Sequence, residues 1–145
     1  MMLQDKNLPL PAGLILFSPV VDHSLPNHDQ SDSIDPILGR GWVKESLEAY
    51  LAGIDSDTPG LSVNGQDRDI RGFPEMLIQV GTKEILLDDA LLLESVAESQ
   101  GVASTVEVYE DMWHDFQLQV NAGLPSAALA MKSTAEFIKR KLGDN

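Results

Sequence analysis

A chain of 145 residues, 43% apolar and 23% charged, can bury one core and is short for more than one domain. Its formal net charge of −13 offers no basic face to a phosphate backbone, which argues against a nucleic-acid partner. It has no cysteine, so disulfide frameworks, thiolate metal sites and thiol nucleophiles are excluded. No apolar signal core and no run of membrane-spanning length is visible, and the expectation is an intracellular, cytoplasmic protein with no membrane partner.

In chain order, residues 1–7 are polar and read as the tail of a helix. Residues 8–13 form a linker, because Pro9 and Pro11 break helix and central strand alike. The apolar run 14–18, closed by Pro19, suits a strand covered on both faces. Residues 20–40 read as irregular, with Pro26, Asn27, Pro36 and Gly39 as punctuation. A helix is expected over 42–51, with Trp42, Leu47, Tyr50 and Leu51 on its apolar stripe and Gly53 past its end.

Residues 55–72 are a second irregular stretch, and two such connections in a small domain are unusual unless they line a site. A strand over 76–80 leads to a helix over 88–99, whose Ala90, Leu93 and Ala97 share a face, with Gly101 as its cap. Residues 105–109 alternate with period two, as a half-exposed strand does. A last helix is expected over 126–142, with Ala128, Met131, Ala135, Ile138 and Leu142 at helical spacing. The order predicts one α/β domain over 1–145 with about three parallel strands, flanking helices and right-handed crossovers.

Two loops draw the chemistry together. One begins at Gly81-Thr82-Lys83-Glu84, at the end of the second strand, and the other carries Trp113-His114-Asp115 after the third. In a doubly wound sheet both open on the edge where such folds place their sites. On residues alone His114 reads more readily as a strand-end cap than as a catalytic group. His23 and His28 lie near Asp22, Asp29 and Asp32 but match no standard ligand spacing. Asp55-Ser56-Asp57 with Gly60 opens like a calcium loop, yet Pro59 and Gln66 fall where oxygen ligands are required. No metal or cofactor is therefore expected. Asp22 reads as a carboxylate that orders its loop.

Taken together, several segments resemble the hormone-sensitive-lipase-like branch of the α/β-hydrolases, which are carboxylesterases. They are Leu8-Pro9-Leu10-Pro11-Ala12-Gly13 running into Ser18-Pro19-Val20-Val21-Asp22, then Tyr50-Leu51-Ala52-Gly53 and Asp69-Ile70-Arg71-Gly72-Phe73-Pro74. Gln79-Val80-Gly81, Glu84-Ile85-Leu86-Leu87-Asp88-Asp89-Ala90 and Met112-Trp113-His114-Asp115-Phe116 complete the set. The resemblance implies a small-molecule ester as substrate, with His114 as the catalytic histidine and Glu84 as its acid. Asp88 and Asp89 are the alternatives for the acid, set aside because both fall inside the helix, pointing away from the strand edge.

The same resemblance requires a Gly-x-Ser-x-Gly nucleophile elbow and an oxyanion loop earlier in the chain. Neither is present. The nearest approach, Gly60-Leu61-Ser62-Val63-Asn64, ends in Asn. The chain thus reads as the C-terminal portion of an α/β-hydrolase. Its 14–18 strand is expected at an exposed edge that pairs with a second copy or with the missing half. The alternative is a non-catalytic α/β module that associates with itself or with a partner. In the family, the helix bearing Trp42 and Tyr50 lies near the acyl pocket, which leaves a minor substrate-lining role open.

Overall fold

The computed structural model describes residues 6, 8–23, 35–55, 58 and 69–143. His28, Asp29, Asp32, Ser56, Asp57, Pro59, Gln66 and the Ser62 segment, all weighed above, lie outside them. Three strands, β1 (Leu14–Phe17), β2 (Met76–Gly81) and β3 (Ser104–Tyr109), form one parallel sheet in the order β1-β2-β3. Leu14 stands opposite Met76, and Met76 opposite Ser104. Parallel pairing puts the carboxyl ends of all three strands on one edge, which is where the loops of interest leave the sheet.

β2 is central and buried throughout, which is why its sequence is a continuous apolar run broken only by Gln79. Its alternate side chains serve two layers. Met76, Ile78 and Val80 pack with Ala90, Leu93 and Ala97 of α2 (Leu87–Ser99), as the spacing of those residues predicts. On the other face Gln79 donates through Nε2 to the Ala130 carbonyl of α3 (Pro125–Leu142) at 2.9 Å. Gly101, at φ +71°, reverses the chain after α2 in the left-handed region that favours glycine.

Gln79 also anchors a polar cluster beneath α3. Its amide donates to Glu107 Oε2 at 2.9 Å, the Tyr109 hydroxyl donates to the same oxygen at 2.7 Å, and Ser133 donates to the other oxygen. Burial, reinforced by Glu107, holds the Tyr109 proton well above the ordinary tyrosine range. Tyr109 packs against the ring of Phe116, 4.9 Å between centroids, at the start of a 3-10 helix (Phe116–Ala122). Phe116 is wholly buried, a burial that stabilises by about 2–3 kcal/mol. The segment just after His114 is therefore pinned to the sheet.

Several expectations about side-chain faces need correction. The first helix, α1 (Arg40–Leu51), buries Val43 and Leu47, whereas Trp42 and Tyr50 are 64% and 65% exposed. Aromatic size suggested the wrong stripe, because the core here is the aliphatic cluster of Leu38, Val43, Leu47, Ile85 and Leu86. In α3 the buried residues are Ala127, Ala130, Thr134 and Phe137, not Ala128, Met131, Ala135, Ile138 and Leu142, which are exposed. The helix is apolar on two adjacent stripes, and contact with the sheet selects the one that carries Phe137. β1 sits at the edge of the sheet, as expected, but it is half-buried where its apolar run suggested cover on both faces.

A further correction concerns Asp89. It does not point away from the strand ends: it is fully buried, and its Oδ2 accepts from the backbone N–H of Val21 at 2.8 Å and of Asp22 at 3.1 Å. A carboxylate in the first turn of α2 thus holds the loop that follows β1, where the helix dipole favours it. No helix among the described residues is long and apolar enough to cross a membrane. Replacing Asp89 with Ala leaves two backbone donors without their anion and should cost about 3 kcal/mol. Asp88→Ala, at a half-buried neighbour, should cost no more than about 1 kcal/mol. Urea denaturation of both variants checks this, and equal losses would remove the special role of Asp89.

Candidate active site

The loop after β2 starts from an unusually close approach. A Cβ on Gly81 would fall inside the van der Waals radius of the Met112 carbonyl, so only glycine lets the two loops touch here. The contact is fixed by Lys83 N–H donating to Met112 O at 2.8 Å and by Thr82 N–H donating to Tyr109 O at 3.0 Å. The loops carrying Glu84 and His114 are thereby locked to one another through their backbones.

Glu84 turns back under this contact. Its side chain is 0% exposed, and Oε1 accepts from the Gly81 N–H and from the Ser18 hydroxyl, the latter at 2.9 Å. Its second oxygen, Oε2, lies 3.6 Å from Nδ1 of His114, whose side chain is 20% exposed. Both atoms are buried and neither has a hydrogen-bond partner elsewhere. At 3.6 Å the contact is an ion pair a little longer than a hydrogen bond. Each of the two atoms has the other as its nearest counterpart, which is the relation a histidine and its orienting acid require.

Other acidic groups complete the electrostatics. Asp115 Oδ2 lies 3.4 Å from Nε2, the opposite ring nitrogen. Burial pulls the His114 imidazole down, but the close contact with Glu84 and the charges of Asp115, Glu84 and Asp35 outweigh it and raise its pKa above the usual 6.5. Asp35 is 6% exposed and accepts from the N–H groups of Ile37 and Leu38 at 2.9 and 3.0 Å, which seats Leu38 in the core.

Glu84 and His114 are thus brought together as expected, and Asp88 and Asp89 lie outside the pair. Asp22 is buried, with its backbone held by Asp89. The sequence reading did not single out Ser18, Asp35 or Asp115. The local signals were a serine between a strand and Pro19, an Asp-Pro step, and a carboxylate adjoining the histidine.

The family described as alpha/beta hydrolase fold matches residues 1–118, and the chain belongs to it. An esterase of Acinetobacter venetianus is 36% identical over 131 residues, which are 88% of this chain and 42% of that protein. An acetyl-hydrolase of Streptomyces hygroscopicus is 32% identical over 145 residues, 98% of this chain and 47% of its own length. Among solved structures, an esterase of the bacterial hormone-sensitive lipase family superposes with a TM-score of 0.88 at 31% identity, over 98% of this chain and 48% of the other. The chain is therefore a hormone-sensitive-lipase-like α/β-hydrolase, and it spans less than half the length of these curated relatives.

The raised affinity of His114 for its proton has a sign that stability measurements read directly. A folded-state pKa above the unfolded value of about 6.5 stabilises the fold fully below that pH, and the gain is lost as pH rises through the folded pKa. Wild type should accordingly exceed His114→Gln in stability by more at pH 6 than at pH 9. A difference independent of pH would mean that the imidazole is not coupled to Glu84 and its neighbours.

Proposed function

We propose that this chain supplies the histidine and the acid of a serine carboxylesterase acting on short-to-medium acyl esters. The observation that carries the reading is the pairing of His114 Nδ1 with Glu84 Oε2 at the carboxyl ends of β2 and β3. Kinship with proteins named esterase and acetyl-hydrolase supports the reaction class. Glu84 holds the imidazole in one tautomer and stabilises its cation. Nε2 takes the proton of a serine as that hydroxyl attacks the ester carbonyl, then returns it to the departing alcohol.

The serine comes from residues outside this sequence, which contains no Gly-x-Ser-x-Gly motif. β1 supports a place for them, since among the described residues it pairs on one side only and a further parallel strand can extend the sheet there. The substrate is a small-molecule ester. The 1–145 chain is one partial hydrolase domain, completed by a serine-bearing segment or joined to a second copy through β1.

The test is hydrolysis of a short-chain nitrophenyl ester by this chain alone, and by the chain joined to the portion of the Acinetobacter venetianus esterase that it does not match. The chain alone should be inactive and unlabelled by a fluorophosphonate, as read by intact mass. The joined protein should turn over, and both His114→Ala and Glu84→Gln should lower its kcat on the order of 10^4-fold. Turnover indifferent to His114→Ala, or labelling of this chain on its own, would sink the reading.

A further inference from the structure

We propose that Ser18 is the positioning residue of this site, whose hydroxyl holds Glu84 so that its second oxygen faces His114. The proposal rests on the reading of Glu84 and His114 as an acid and base pair. It concerns a residue 66 positions from Glu84 and 97 from Asp115.

Ser18 is the first residue beyond β1. Its backbone N–H continues the ladder by donating to Gln79 O at 2.9 Å, and the chain then turns sharply, with φ at +41°. A non-glycine residue in the left-handed region is strained, and such strain persists where the surroundings over-determine it. Here the result of the turn is that the hydroxyl points inward. Ser18 is 3% exposed, and its Oγ donates to Glu84 Oε1 at 2.9 Å.

The hydroxyl oxygen is approached from the loop after the third strand. The N–H of Asp115, the residue directly after His114, points at Ser18 Oγ from 3.4 Å. Asp115 is itself left-handed, at φ +53°. Two strained residues from separate loops therefore meet at one hydroxyl, which joins the end of β1 to both the acid and the histidine.

The carboxylate geometry gives this meeting its consequence. Glu84 Oε1 accepts two donors, the Ser18 hydroxyl and the Gly81 N–H, while Oε2 has His114 alone. Two donors from different directions on one oxygen stop the carboxylate rotating about its last bond. That leaves Oε2 aimed at Nδ1. With the hydroxyl removed, only Gly81 remains and the carboxylate is free to swing. The hydroxyl proton is committed to the carboxylate, so Ser18 orients the acid and is not the attacking group.

The experiment is an NMR titration of the His114 ring protons in the 145-residue chain itself. It compares wild type, Ser18→Ala and Ser18→Gly, with the exposed Ser99→Ala as control. Glycine suits the left-handed backbone, so Ser18→Gly removes the hydroxyl while relieving strain and should melt no lower than Ser18→Ala. In both Ser18 variants the His114 pKa should fall toward its ordinary value. Ser99→Ala should leave it in place.

An unchanged His114 titration in folded Ser18→Gly would overturn the proposal. So would failure of both Ser18 variants to fold, which would make the residue structural. If the joined esterase proves indifferent to His114→Ala while the Ser18 variants still shift the titration, the esterase reading fails and the positioning role stands.

Discussion

A carboxylate sealed from solvent at the ends of three parallel strands governs this structure. A buried charge must be met by donors or by a countercharge, or the fold loses several kcal/mol. Glu84 meets that demand with the Gly81 N–H, the Ser18 hydroxyl and the His114 ring, one from each strand end. The close approach at Gly81, the left-handed turns at Ser18 and Asp115 and the anchoring of Phe116 all serve to bring those partners within reach. The geometry needed to bury the charge is also the geometry that makes an imidazole basic.

A second carboxylate has a parallel role, in the first turn of α2. Asp89 holds the loop after β1 by its backbone, as Glu84 holds the residue at the strand end by its side chain. β1 is half-buried, with Leu14 and Leu16 against the core cluster, and among the described residues it pairs on one side only, so these polar ties add to its anchoring. The edge strand and the site are held by the same atoms.

Much of this was legible in the residues. The apolar run at 76–80 and the face of Ala90, Leu93 and Ala97 identify their elements because burial imposes those patterns. The alternation at 105–109 marks β3 even though its burial does not alternate, Val108 being exposed. Faces were less legible where a helix is apolar on two sides. In α3, Phe137 and Met131 compete for the core, and the choice depends on the sheet presented to them. Trp42 and Tyr50 misled for a similar reason, since hydrophobic size says nothing about which side has a neighbour. Glu84 and His114 could be found because each sits at a strand end in a recognisable run. Ser18 could not, because its role exists only once a contact spans 66 residues.

That separation bears on the order in which the chain organises itself. Joining β2 to β3 closes a short loop, 28 residues between Gln79 and Glu107, while fastening the end of β1 to the loop after β2 closes the 66 between Ser18 and Glu84. The longer closure costs about 0.8 kcal/mol more in chain entropy, and β1 adds fewer contacts in return. On these grounds β2, α2 and β3 are expected to assemble first, with β1 docking onto them afterwards. Release of β1 would withdraw the Ser18 hydroxyl from Glu84 Oε1 and leave the Gly81 N–H as the donor that remains on that oxygen.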